Sequence, residues 1–113
     1  MGEDPGAEEI VTRYKPLKTT SISCAEFLYG AKKSGKKKMY DISEKFLHFF
    51  TIVPFDAESA FIYADIASSL SGGGRHISTF DELTAAIALR HNEPLVTRDR
   101  HFSAVEGLEL ILY

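Results

Sequence analysis

The sequence predicts an α/β sandwich with a mostly parallel sheet. Short segments rich in β-branched and apolar residues, which are typical of strands, alternate along the chain with longer segments of helical periodicity. No two-residue turn such as Asn-Gly joins two strand segments into a hairpin. Parallel strands need long crossover connections, and helices usually supply them. The length of 113 residues predicts a single domain, residues 1–113, with a small core.

The first half of the chain contains three helical segments and two strand segments. "AEEIVTRY" places three apolar residues on one helical face, and Pro16 ends that helix. A strand is predicted near residues 18–23, in "LKTTSIS", because this segment is rich in β-branched residues. "CAEFLYGAKK" and "MYDISEKFLHFF" have helical spacing, and "SGKKK" separates them. A short buried strand is predicted near residues 51–54, in "TIVPF".

The second half contains two helices followed by two strands. Asp56 is predicted to cap the long helix "AESAFIYADIASSL", whose end is marked by "SGGG". Thr79 and Glu82 form a T-x-x-E capping box for the helix "ELTAAIALRH". The last two strands are predicted near residues 94–97 and 109–112, and "RDRHF" between them is predicted to form a short helical turn.

Composition restricts the compartment and the partners. The net charge is −3, so a nucleic acid would have to bind to a local basic patch. The single cysteine, Cys24, cannot form an intramolecular disulfide and suits a reducing compartment. The start "MGEDPGAEEI" lacks the features of a signal peptide, and the longest apolar run is too short to cross a membrane. We therefore expect a soluble cytoplasmic protein without a membrane partner.

Three acidic residues are candidates for one site at an edge of the sheet. Glu26 and Asp99 each come after a strand segment, and parallel sheets bind ligands outside the carboxyl ends of their strands. Glu26 is expected in the first turn of its helix among apolar neighbours, where burying an unpaired carboxylate would be costly. Asp81 lies in the first turn of another helix. Mg²⁺ or Mn²⁺ would relieve the repulsion between such carboxylates and activate water for displacement at phosphorus.

These residues also have structural interpretations. Asp81 would stabilise the helix dipole by about 0.5 kcal/mol, and Asp99 would cap the helical turn next to it. A basic run close after Glu26 is either a solvated loop or a surface that attracts phosphate groups. This run consists of Lys32, Lys33, Lys36, Lys37 and Lys38.

Four segments taken in order resemble the PIN-domain family, in particular the VapC-type toxins of prokaryotic toxin–antitoxin pairs. They are "SISCAEFLYGA", "VPFD…YADIA", "FDELTAAIA" and "LVTRDRHF…VEGLEL". The resemblance covers nearly the whole chain, from about Leu17 to Tyr113. It implies a three-layer α/β/α fold and an endoribonuclease that binds Mg²⁺ or Mn²⁺ through an acidic cluster.

The resemblance also assigns roles to individual residues. It implies that Glu26, Asp81 and Asp99 are the metal-binding and catalytic acids, and that Thr97 positions Asp99 or a water. The family opens with a strand that carries a further metal-binding Asp, whereas "MGEDPGAEEI" resembles the segment that the family places after that strand and its helix. The resemblance therefore implies a domain that is incomplete at its N-terminus, an impaired nuclease, and a gap between the first and third predicted strands.

Two functions of different classes are compatible with these features. The first is a Mg²⁺-dependent endoribonuclease toxin that acts on RNA and is bound by a cognate antitoxin. The second is a non-catalytic relic of the fold that binds an antitoxin or a second copy of itself. Because strands beside the gap would expose unpaired backbone groups, we expect a homodimer rather than a stable monomer.

Overall fold

The strands that the structure describes form two parallel pairs, one in each of two compact units. A computed structural model describes residues 6, 17–74 and 77–112, and the units comprise residues 1–53 and 54–113. The predicted helix at residues 7–14 therefore lies outside the described residues. The prediction of an α/β fold with parallel strands is confirmed.

Each unit contains one pair of parallel strands. The first unit contains β1, Lys18–Thr20, paired with β2, Thr51–Val53. The second contains β3, Leu95–Thr97, paired with β4, Leu110–Leu112. Within the described residues, each pair forms a two-stranded sheet. Periodicity identifies strand segments but does not specify which strands are neighbours, because pairing depends on residues distant in the chain.

The first helix, α1, comprises Ser21–Lys33 and begins earlier than predicted. Thr20 is its N-cap, and the Thr20 Oγ1 accepts a hydrogen bond from the Ser23 N–H at 3.0 Å. The predicted strand at residues 18–23 is therefore wrong in its second half. The side-chain cap supplies an acceptor for a backbone donor of the first helical turn and ends the strand at Thr20.

A tight corner joins α1 to the second helix, α2, Lys37–Leu47. Gly35 has a φ of 73°, a left-handed conformation that glycine adopts without steric cost. The Ser34 hydroxyl donates to the Ala31 carbonyl at 2.6 Å and accepts from the Lys36 N–H at 3.2 Å. These contacts satisfy backbone groups at the corner and fix the direction in which α2 starts.

The end of the first unit also differs from its prediction. α2 ends at Leu47, and a hydrogen-bonded turn at 3.1 Å between the Phe50 N–H and the Leu47 carbonyl leads into β2. The prediction that β2 is buried is wrong, since Ile52 is 43% exposed. Apolar composition alone predicted burial, but the strand has one pairing partner among the described residues.

The second unit begins with α3, Ala57–Gly72, which Asp56 caps as predicted. It continues with α4, Thr79–Arg90, whose N-cap is Ser78 rather than Thr79. The Ser78 Oγ accepts from the Asp81 N–H at 3.1 Å. The predicted box of Thr79 and Glu82 is therefore wrong, because a serine one position earlier takes the capping role.

The core of the second unit lies where α3 and α4 pack together. Ala85 and Ala86 are completely buried, and their small side chains allow the two helices to approach closely. Leu70 of α3 is 3% exposed, and burying such a side chain contributes about 1.5–3 kcal/mol. The core cluster consists of Ile66, Leu70, Ala85, Ala86, Phe102 and Val105. No helix among the described residues has the length and apolar character needed to cross a bilayer.

Candidate functional site

Asp99 lies just after β3, at the carboxyl end of a parallel strand. The Asp99 Oδ1 accepts from the His101 N–H at 2.9 Å and caps the short 3₁₀ helix Arg100–Ala104. The same oxygen is 2.9 Å from the His101 Nδ1 and forms an ion pair when the imidazole is protonated. Among the described residues, the Asp99 Oδ2 has no partner. One oxygen therefore serves the turn, and the other makes no contact within the described part of the chain.

Thr97 connects this turn to the strand. It is the last residue of β3, and its Oγ1 accepts from the Asp99 N–H at 3.1 Å. The contact fixes the backbone of Asp99 relative to the end of the strand. The catalytic positioning role that the resemblance implies for Thr97 stays a prediction.

Asp81 lies in the first turn of α4 and is partly buried. Its backbone N–H donates to the Ser78 Oγ, so the cap uses the backbone of Asp81 and not its carboxylate. The position favours an anion because the helix dipole is positive there. Asp81 and Asp99 both belong to the second unit, whereas Glu26 belongs to the first.

Glu26 differs from its prediction in two ways. It is the sixth residue of α1, beyond the first turn, and its side chain is exposed. The prediction that Glu26 is buried and needs a partner for that reason is therefore wrong, since a hydrated carboxylate needs none. Glu26 falls beyond the first turn because α1 begins earlier than predicted, at Ser21. The metal-binding role that the resemblance implies for Glu26 does not depend on burial and stays a prediction.

The three acids offer donor atoms that suit a hard cation. Carboxylate oxygens are preferred ligands of Mg²⁺ and Mn²⁺, so the donor chemistry of Glu26, Asp81 and Asp99 fits the predicted metals. Within the part of the chain that the structure describes, no three His, Cys, Asp or Glu side chains are grouped closely enough to hold a metal ion. The joint site of these acids therefore stays a prediction.

The basic run lies at the corner between α1 and α2. All five lysines are exposed, and three of them, Lys32, Lys36 and Lys37, line a cavity of about 450 Å³. Tyr40 and Asp41 line the same cavity, and the sequence reasoning missed both. Lys37 and Asp41 are four residues apart in α2, and this spacing could have indicated the ion pair that they form.

Comparison with known proteins identifies the family. The sequence profile of the PIN domain matches residues 2–108. This chain belongs to the PIN-domain family. This chain is 31% identical to Ribonuclease VapC2 of Rickettsia felis over 104 residues, which are 90% of this chain and 78% of the relative. The resemblance inferred from the four sequence segments is therefore confirmed.

Solved structures with a similar fold include two VapBC complexes. VapBC2 from Rickettsia felis bound to a DNA fragment from its promoter has a TM-score of 0.83 and 29% identity, and the match covers 96% of this PIN domain and 82% of that chain. DNA-bound VapBC from Salmonella typhimurium has a TM-score of 0.85 and 22% identity, covering 93% and 81%. The second similarity shows the fold alone.

Proposed function

We propose that this PIN domain is a VapC-type endoribonuclease toxin that cleaves RNA in the cytoplasm with Mg²⁺ or Mn²⁺. The observation that carries the proposal is the turn after β3. There Asp99 stands at the carboxyl end of a parallel strand with one carboxylate oxygen unused by the described residues. Such edges are where parallel α/β sheets bind ligands. The likeness to Ribonuclease VapC2 supports the same activity.

The proposed roles depend on the chemistry of each residue. Glu26, Asp81 and Asp99 would hold the cation. A bound Mg²⁺ or Mn²⁺ activates water and stabilises negative charge on the phosphate undergoing displacement. The Thr97 Oγ1 holds the backbone of Asp99, and the bond from the His101 N–H restricts rotation of the Asp99 carboxylate. These restraints reduce the entropy that would be lost when the carboxylate binds a ligand.

We propose a cognate antitoxin as the protein partner, and a homodimer as the state of the free chain. The similarity to VapBC toxin–antitoxin complexes supports the antitoxin. Exposed apolar side chains of the first unit support a protein-binding surface, since aromatic residues are enriched at interfaces. The large exposed ones are Phe27, Tyr29, Met39, Ile42, Phe46, Phe49 and Ile52.

A cleavage assay with two charge-matched variants tests the nuclease. We expect slow, Mg²⁺-dependent cleavage of single-stranded RNA, since the resemblance implies an impaired nuclease. Asp99→Asn should lower the cleavage rate by at least about 10-fold to 100-fold, which is the loss caused by mutating residues that support metal ligands. Asn caps helices as well as Asp does, so folding stability should change by less than about 0.5 kcal/mol. Glu109→Gln, which neutralises an exposed acid of the same unit, should leave the rate unchanged.

Other outcomes would contradict the proposal. Cleavage that persists in EDTA, or that Asp99→Asn does not reduce, would exclude a metal-dependent reaction at this residue. No cleavage at high protein concentration, together with tight binding of an antitoxin, would favour the non-catalytic alternative.

A further inference from the structure

The cavity at the corner between α1 and α2 has an unusual concentration of positive charge. The chain as a whole carries a net charge of −3, yet three of the residues that line this cavity are Lys32, Lys36 and Lys37. One acid, Asp41, accompanies them. The first turn of α2 contains no acidic residue that would offset these lysines.

We propose that this cavity, which the corner at Gly35 forms, binds a phosphate group of the RNA backbone. The identity of the nucleic acid rests on the proposed ribonuclease function, whereas the preference for phosphate rests on the cavity. Lysine ammonium groups act as compact point charges that bind phosphate without reading bases. The cavity would therefore hold the substrate independently of its sequence.

The three lysines of the cavity differ in how far their charges are already compensated. The Lys37 Nζ is 3.0 Å from the Asp41 Oδ2, and the Lys32 Nζ lies 4.1 Å from the centre of the Tyr40 ring. Lys36 has no ion-pair partner among the described residues. Lys36 is therefore the main uncompensated charge, and the exposed pair of Lys37 and Asp41 is weak enough for a phosphate to compete with Asp41.

The walls of the cavity are held in place before any ligand binds. The Ser34 hydroxyl bridges the Ala31 carbonyl and the Lys36 N–H. The contact between Lys32 and Tyr40 joins the end of α1 to α2. Because the backbone that carries Lys36 is fixed, binding an anion requires mainly that lysine side chains become ordered.

A binding experiment distinguishes this cavity from general electrostatic attraction. Fluorescein-labelled single-stranded RNA is titrated in EDTA, so that no cleavage occurs, and fluorescence anisotropy is measured across a series of salt concentrations. Lys36→Ala and Lys32→Ala remove a charge from the cavity. Lys33→Ala and Lys38→Ala remove the same charge from neighbouring exposed positions outside the cavity lining and serve as matched controls.

We expect Lys36→Ala to weaken RNA binding roughly 3-fold to 10-fold and to reduce the slope of log K against log salt by about 0.7, which corresponds to one phosphate contact on a single strand. Lys36→Arg should restore most of the affinity. Asp41→Asn should strengthen binding because it releases Lys37. The two control variants should change the affinity less than about 2-fold and leave the slope unaltered.

Equal losses of RNA affinity in all four alanine variants would overturn the proposal, since general electrostatic attraction would then be enough to explain the binding. Equal competition by polyglutamate and by unlabelled RNA would also overturn it, because the cavity would then prefer no phosphate. The assay is independent of cleavage. If Lys36→Ala weakens RNA binding but the protein has no nuclease activity, phosphate binding in the cavity is supported and the proposed function is rejected. If the protein cleaves RNA but Lys36→Ala does not weaken RNA binding, the proposed function is supported and phosphate binding in the cavity is rejected.

Discussion

At the scale of single residues, Asp56 shows how one carboxylate stabilises two helices. Its Oδ1 accepts from the Ser59 N–H at 2.9 Å and from the Ser59 hydroxyl at 2.8 Å. Its Oδ2 lies 3.3 Å from the Arg90 Nε at the end of α4. The backbone hydrogen bond from Ser59 is the main cause that lowers the pKa of Asp56 below 3.8, and the Ser59 hydroxyl and the Arg90 charge lower it further.

The lowered pKa predicts a specific dependence of stability on pH. A carboxyl whose pKa is lower in the folded state contributes stability above its unfolded pKa, and this contribution is lost as the pH falls through the folded pKa. Asp56→Asn should therefore be less stable than the parent at pH 7, and the difference should shrink below about pH 4. Urea midpoints at pH 7 and pH 3 measure this. A difference that grows at low pH would contradict the assignment, and Glu109→Gln is the charge-matched control.

The site could be predicted from sequence at the level of chemistry but not of accessibility. Asp99 was given two interpretations, and the capping one is confirmed in the bond to the His101 N–H. The metal-binding interpretation was not excluded by it, because a carboxylate has a second oxygen. For Glu26 the apolar neighbours in the sequence suggested burial, yet neighbours in a helix point in different directions and do not report exposure.

At the scale of elements, the corner between α1 and α2 depends on one glycine. Gly35 has a φ of 73°, and a Cβ added there would meet no atom within 4 Å. Any cost of adding a side chain at Gly35 would therefore come from the backbone conformation and not from a clash. Gly30, inside α1, has equally open surroundings but a helical backbone.

Substituting the two glycines should have opposite effects. Gly35→Ala should lower the free energy of unfolding by about 1–2 kcal/mol, since the left-handed conformation is costly for alanine. Gly30→Ala should raise the free energy of unfolding by up to about 1 kcal/mol, since alanine favours helix. Urea denaturation of both variants measures the difference. Effects of the same sign would show that the conformation of Gly35 does not determine the stability of the corner.

Helix boundaries at this scale were predicted less well than helix existence. "SIS" is as suitable for a strand as for a helix by composition. Its helical conformation depends on Thr20, whose hydroxyl both accepts from the Ser23 N–H and donates to the Ser23 Oγ at 3.1 Å. Propensity summed over a window does not detect a cap that a single side chain supplies.

At the scale of the whole molecule, we expect self-association of the isolated chain. Strand pairs this short leave backbone groups at their edges without a partner strand among the described residues, and the first unit exposes Phe49 by 77%. Light scattering at micromolar concentration should give a mass near twice the 12.6 kDa of the chain. Phe49→Ser should reduce the dimer, and Phe49→Leu should retain it. A mass of one chain with a cooperative thermal transition would refute the expectation.

The arrangement of strands was the part of the fold that the sequence could not specify. Each strand has three residues, which is too short for a pattern that identifies its neighbour. The predicted gap between the first and third strands concerns both units together and stays a prediction. The family, by contrast, was recognisable because its segments occur in a fixed order.

The strand registers also set the order in which the two sheets are easiest to form. Lys18 pairs with Thr51, so the first sheet closes a loop between positions 18 and 51. Leu95 pairs with Leu110, and the second sheet closes a loop about half as long. Closing a loop of twice the length costs about 0.6 kcal/mol more in chain entropy. During folding, β3 and β4 therefore meet with the smaller entropic penalty, and the turn that carries Asp99 lies inside the loop that closes more easily.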